Sequence, residues 1–343
     1  MMGSNAIREI SVTPLNNRRG NVYFLLVLSH TFTSGVLGLK LSPNDCGVSI
    51  TKSHRQPRNN NFTSFSEGRL INGKESQQGA WPWQVSLQLL HPKFGLISHW
   101  CGGVLIRPSW VLTAAHCIHN DVFSLPLAAL WTAVLGEWNR DIEEHTEVRI
   151  PVEHIVIHEA FHNYQHDIGT HYNCSKFDSL IFTALLKLSR SLNRKDRSVK
   201  SICLMEAAEL EMETRKSLTK LCVATGWGRT DTKGTLSSTL RQIRVPLIDN
   251  AICKHKYEPG VPIQKGHLCG GKLDGHSGAC VGDSGGPLQC ILKDGRWFLA
   301  GITSFGSGCA KAGYPDVYTR LSFYIPWIRS QIKRYSDKKL KES

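Results

Sequence analysis

Two short motifs far apart in the chain, Thr113-Ala114-Ala115-His116-Cys117 and Gly282-Asp283-Ser284-Gly285-Gly286-Pro287, set the strongest condition on its fold, which has to bring them together. A serine hydroxyl is a weak nucleophile until an imidazole takes its proton, and glycines beside the serine let backbone N–H groups turn toward an oxygen that gains charge. The pair therefore reads as nucleophile and base. Two further landmarks, Trp81-Pro82-Trp83-Gln84-Val85-Ser86-Leu87 and Thr225-Gly226-Trp227-Gly228, lie in order with them.

The intervening sequence alternates in short apolar runs bounded by turn residues, such as Val85-Ser86-Leu87-Gln88-Leu89 and Gly301-Ile302-Thr303-Ser304-Phe305. Long amphipathic helices are scarce, a pattern that suits antiparallel barrels. Tyr324 to Ile332 is the exception, with apolar spacing of three and four around an early proline, and predicts a closing helix. The 343 residues allow one large or two ordinary domains. A hydrophobic content of 41% and 20% charged residues support a packed core and argue against dominant disorder. The net charge of +13 suits binding to a polyanion such as sulfated polysaccharide, but much of it falls in the N-terminal segment and in Lys333 to Lys341, which read as solvated ends. No basic stripe interleaved with aromatics appears, so nucleic-acid binding is set aside.

The four landmarks resemble those of the trypsin/chymotrypsin-like serine peptidase family, over roughly Arg69 to Arg334. The resemblance implies an all-β fold of two six-stranded antiparallel β-barrels of the chymotrypsin type with a C-terminal helix. It places the peptidase domain at 70–334 and leaves 335–343 as a basic tail. It implies a trypsin-like endopeptidase acting on protein or peptide substrates, with no cofactor required. Ser284 is then the nucleophile, His116 the general base and acid, and the backbone N–H groups of Gly282 and Ser284 the oxyanion hole. The third member of the triad is expected at Asp167, because Asp167-Ile168 followed by Ala184-Leu185-Leu186-Lys187-Leu188 restores the family phrase once 169–183 is treated as an insertion. Asp178, in Phe177-Asp178-Ser179-Leu180-Ile181, is the competing candidate. The insertion also supports an alternative reading, a catalytically impaired homologue that acts as a binding module.

Further expectations follow from the same resemblance. Cleavage after Arg69 would free Leu70, whose ammonium pairs with Asp283, so the chain would be a zymogen that needs an activating protease and meets protein inhibitors. The pocket for the residue before the scissile bond would be lined by Gly278, Ser304, Phe305, Gly306 and Asp316. Gly278 stands where trypsin-like relatives have an aspartate, and Asp316 replaces a usual glycine, so the pocket would take either basic or small apolar side chains. Expected disulfides are Cys46–Cys203, Cys101–Cys117, Cys222–Cys290, Cys253–Cys269 and Cys280–Cys309, with Cys174 left over. Glu137, Asn139, Glu144 and Glu147 match the family's calcium loop, with a solvated acidic loop as the alternative. His154, His158, His162 and His166 recur every four residues, but Val152 to His158 reads as a strand, which argues against a zinc face.

Before the peptidase region, Arg18-Arg19, the apolar run Val22 to Leu28 and the small residues through Gly35 read as a signal peptide over 1–35. The apolar run is broken well short of the ~20 residues a spanning helix needs, so stable membrane insertion is not expected. Residues 36–69 read as a polar propeptide. Sequons at Asn61 and Asn173 are candidate glycosylation sites. A secreted, extracellular protein is the expectation, and the cysteine count agrees with an oxidising compartment.

Overall fold

A computed structural model describes residues 46–51, 73–119, 124–159, 161, 183–193, 195–209, 221–230, 234–275 and 278–342, all within one unit, Pro43–Ser343. The signal peptide, most of the propeptide, Asn61, Arg69, Leu70, Asp167, Asn173, Cys174 and Asp178 lie outside the described residues.

After a two-residue strand β1 (Lys74–Glu75), the chain builds a closed barrel from β2 (Gln84–His91), β3 (Gly95–Arg107), β4 (Trp110–Ala114), β5 (Trp131–Leu135), β6 (Val148–Ile157) and β7 (Thr183–Leu188). The strand order around the barrel is β2-β3-β4-β7-β6-β5, antiparallel throughout. Closure leaves no unpaired edge, and Val85, Leu87, Leu89, Leu105, Val111, Leu135 and Leu186, which the register puts on one face, are buried. Full burial of each such side chain stabilises the fold by about 1.5 to 3 kcal/mol.

The second sheet contains β8 (Cys222–Gly226), β9 (Arg241–Arg244), β10 (Leu247–Ile248), β11 (His267–Gly270), β12 (Pro287–Ile291), β13 (Trp297–Phe305) and β14 (Asp316–Arg320), with β1 on its edge. Its order is β1-β9-β8-β12-β13-β14-β11-β10. It therefore differs in detail from the expected second six-stranded barrel: six longer strands are flanked by two-residue pieces, and the sheet curls without closing. Two residues supply too few ladder bonds to join the ends.

Where the two sheets meet, the contact is partly polar. Thr225 Oγ1 donates to Gln84 Oε1 at 2.6 Å, Gln289 Nε2 donates to Thr225 Oγ1 at 3.2 Å, and Trp83 Nε1 donates to Gln289 Oε1 at 3.0 Å, all buried. Every member has a partner, so the network orients the sheets without leaving a desolvated donor. Trp81 meets Trp297 edge-on at 4.8 Å above it.

Helices α1 (Asn250–Tyr257) and α2 (Leu321–Glu342) pack with the sheets. The expected closing helix is present, but it begins earlier and continues through Lys333 to Lys341, residues that read as a solvated end. The cause is tertiary: Tyr335 packs edge-on against Trp110 at 5.4 Å and lies 5.8 Å from the His154 ring, with Lys187 Nζ 5.4 Å above its own ring. All five expected disulfides form.

Candidate active site

β4 ends at Ala114 and runs directly into a single 3-10 turn, Ala115–Cys117, which holds His116. The Cys101–Cys117 disulfide and a hydrogen bond from Trp100 Nε1 to Cys117 O at 2.9 Å fix this turn to β3. His116 keeps part of its surface open, while loss of hydration around the ring lowers its pKa to about 4. It is therefore a neutral imidazole at neutral pH, the form a general base requires.

The serine turn sits against this strand end. Ser284 O accepts from Gly102 N at 2.8 Å, and Thr113 Oγ1 donates to Gly102 O at 2.8 Å. Gly285 adopts φ 78°, and a Cβ there would collide with Thr113 Oγ1 and come within 3.1 Å of Ala114 N. Glycine is thus required twice, for the left-handed backbone and for the close approach. On its other side the turn is held by Gly285 N to Thr303 O at 2.9 Å and by Gly286 N to Asp283 O at 3.0 Å. Ser284 therefore goes with the second sheet, His116 with the barrel, and one glycine brings the two motifs into contact.

Gly282 is fixed from its carbonyl side by a residue that sequence reading missed. His99 Nε2 lies 2.9 Å from Gly282 O, and His99 Nδ1 lies 2.8 Å from Ser86 Oγ. Burial lowers the His99 pKa to about 4, so the ring is neutral and carries one proton. A carbonyl only accepts, which places that proton on Nε2 and leaves Nδ1 to accept from the serine hydroxyl. A lone histidine and a lone serine on neighbouring strands carry no signature in sequence; only the β2/β3 pairing makes them partners.

Asp283 is 1% exposed. Its Oδ1 accepts from Gly228 N at 2.9 Å and its Oδ2 from Cys280 N at 2.9 Å. Desolvation nevertheless outweighs these bonds and raises its pKa to about 6. A Cβ on Gly226 or Gly228 would overlap the carboxylate, which gives the Gly226-Trp227-Gly228 landmark its physical reason.

Of the five residues expected around the specificity pocket, Gly278, Gly306 and Asp316 stand together. The Cys280–Cys309 disulfide ties the segment after Gly278 to the segment after Gly306. Asp316 opens β14, is buried, and accepts on Oδ2 from Ala279 N at 2.8 Å. A Cβ built on Gly278 would stand 3.1 Å from Asp316 Oδ2, and one on Gly306 3.2 Å from Oδ1, so the carboxylate lies between two glycine walls. Burial, with a smaller contribution from nearby Asp283, pushes its pKa up to about 7. Ser304 is buried beside Phe305, and its hydroxyl has no hydrogen-bond partner among the described residues.

Asp167 lies outside the described residues, but the roots of its segment do not. His158 N donates to Thr183 O at 3.3 Å, and Phe161 N donates to His158 O at 2.9 Å. Beyond the segment, β7 pairs in full register with β4, Thr183 opposite Ala114 and Ala184 opposite Thr113, and also with β6. The strand therefore takes in Thr183, the last residue of the stretch read as inserted.

In the acidic loop, Glu144 Oε2 accepts from Trp138 N and Asn139 N at 3.0 and 3.1 Å, and Glu147 Oε1 accepts from Glu144 N at 2.7 Å. Glu137 is buried, 3.6 Å from Arg149, with a pKa raised to about 7 by desolvation and one oxygen left unpartnered among the described residues. No three His, Cys, Asp or Glu side chains among the described residues converge as metal ligands. His154 lies on β6 and His158 just past its end, as the strand reading of that segment expects.

Comparison with known proteins agrees with this geometry. The family model described as Trypsin matches residues 70–328. Transmembrane protease serine 7 of Mus musculus is 39% identical over 269 residues, covering 77% of this chain, although the chain spans only 28% of that protein. Chymotrypsin-like elastase family member 3A of Homo sapiens is 37% identical over 274 residues, covering 79% of this chain and 91% of that protein. Chymotrypsin-C of Bos taurus is 34% identical over 277 residues, covering 79% and 92%. No helix among the described residues is long and apolar enough to cross a membrane.

Proposed function

Because the chain belongs to the trypsin family of serine peptidases, we propose that it is a secreted endopeptidase, made as a precursor cleaved after Arg69 and acting through Ser284, His116 and Asp167. The observation that carries this reading is the seating of Gly285 on Ala114, which puts the serine turn against the histidine turn.

In the proposed reaction His116 takes the Ser284 hydroxyl proton as Oγ attacks the scissile carbonyl. The N–H groups of Gly282 and Ser284 receive the oxyanion, and losing one such donor costs about a hundredfold or more in rate. The imidazolium returns its proton to the leaving amine, and water then repeats the sequence on the acyl-enzyme. Asp167 orients the imidazole and stabilises its cation.

Activation has a physical rationale at Asp283. A buried carboxylate without a counter-charge is costly, and the ammonium released on Leu70 would supply one. In the pocket, Asp316 is a neutral acid below pH 7 and an anion above it, so small apolar side chains are accepted throughout and basic ones gain only as the pH rises.

The test is to cleave the purified precursor after Arg69 and label it with a fluorophosphonate probe, with Ser284→Ala as blank and Asp167→Asn and Asp178→Asn for comparison. Labelling that the Asp167 change abolishes and the Asp178 change spares is expected. No labelling of correctly cleaved, folded protein would overturn the reading.

A further inference from the structure

We propose that Arg241 is a positioning residue for activation: by holding the carbonyl of Gly73, it sets where the freed chain leaves the second sheet for Asp283. The role rests on the cleavage after Arg69 proposed above, and it concerns how firmly the new terminus stays inserted.

The strand that anchors this part of the chain is short. β1 pairs with β9 at Lys74 opposite Gln242 and Glu75 opposite Arg241, and Ser76 N adds a bond to Leu240 O at 2.8 Å. Gly73, the first described residue after the cleavage site, lies beyond that ladder and is buried. Its carbonyl accepts instead from Arg241 Nη2. A hydrogen bond from a guanidinium is stronger than one between neutral groups, so the side chain extends the hold of a two-residue strand by one residue.

Reach makes that residue matter. β8 pairs with β9 on its other side, where Gly226 stands opposite Arg241. A Cβ on Gly226 would overlap Asp283 Oδ1. The carboxylate is therefore about two strand spacings from β1, roughly 10 Å. Leu70, Ile71 and Asn72 span about the same distance when fully extended. With so little slack, a small shift of Gly73 takes the ammonium out of range of Asp283.

Two plainer accounts of Arg241 fail. It does not serve the acid across the ladder, because among the described residues no ion pair joins it to Glu75. Nor is it a solvated surface cation: it is half-buried, and its Nε is buried without a hydrogen-bond partner among the described residues. An unpaired buried donor is costly, and a carbonyl of the arriving chain would remove that cost.

The experiment cleaves the full chain after Arg69 and compares wild type with Arg241→Ala, Arg241→Lys and a charge-matched control, Arg244→Ala, whose side chain is exposed on the same strand. One readout is the rate at which cyanate carbamylates the Leu70 α-amine, followed by mass spectrometry. The other is the alkaline midpoint of kcat, which insertion carries above the value of about 8 for a free α-amine. Thermal midpoints of the uncleaved precursors check the fold. Arg241→Ala is expected to react about ten-fold faster with cyanate and to lose about one pH unit of alkaline midpoint, as the loss of one charged hydrogen bond requires. Arg241→Lys recovers part of both, and Arg244→Ala matches wild type. Equal rates in wild type and Arg241→Ala, or a change that goes with a melted precursor, would overturn the role and leave the activation reading standing. A wild-type amine that reacts as fast as in denatured protein would overturn the activation reading and this role with it.

Discussion

At the scale of single residues, the site depends on where a Cβ or a charge cannot be tolerated. Gly285 combines φ 78° with contact against the backbone of Gly102 and Ala114. Gly285→Ala is expected to destabilise the protein by more than about 2 kcal/mol, through left-handed strain and overpacking, and to abolish fluorophosphonate labelling. Chemical denaturation read alongside labelling checks both. Asp316 makes the complementary prediction in charge. Its pKa of about 7 means that kcat/KM for a lysine-bearing substrate, relative to an alanine-bearing one, rises as pH passes from 6 to 8. The rise is lost in Asp316→Ser, and a flat ratio in wild type would show that the carboxylate does not face the substrate. The glycines and the carboxylate were legible in sequence by position. His99 and Ser86 were not, because their role exists only through a strand pairing.

At the scale of elements, the stretch read as an insertion, 169–183, is the instructive case. Read from sequence, it interrupts a strand that should pack in the barrel. In the structure β7 forms in full register, because its pairing with β4 and β6 and the burial of Ala184, Leu185, Leu186 and Leu188 do not depend on what precedes it. A hydrogen bond from His158 N to Thr183 O joins the described residues on either side of the segment, and the closure entropy of a longer loop grows only slowly with length. Deleting residues 169–183, which sets Ile168 opposite Ala114, is therefore expected to leave the thermal midpoint within a few degrees of wild type and to retain labelling of Ser284. A collapse of the midpoint would mean that the segment itself supports the barrel. Helix α2 teaches the converse: its sequence window ends near Ile332, and docking of Tyr335 carries it to Glu342.

At the scale of the whole molecule, the two sheets and the proposed activation step are coupled through Asp283. In the uncleaved chain its pKa stands near 6 against an ordinary value of 3.8, so the folded state holds the extra proton between those limits. Stability from this group is full below about pH 4 and is lost as pH rises through 6, by roughly 3 kcal/mol. Pairing with a new ammonium would favour the anion and remove that loss. The stability of the cleaved form minus that of the precursor should therefore grow from pH 4 to pH 7, as urea denaturation of both forms would measure. A difference that is constant with pH would exclude pairing at Asp283.

The sequence by itself showed the β class, the serine and histidine motifs and the glycines around them, which are local patterns of alternation and backbone conformation, while the disulfide pairs followed from the family resemblance that those motifs carry. Only the tertiary structure decided that the second sheet stays open, that β7 forms from Thr183 onward, that α2 carries the basic tail, and that His99 holds Gly282. Each of these rests on contacts between residues distant in the chain, whose energies no local window contains.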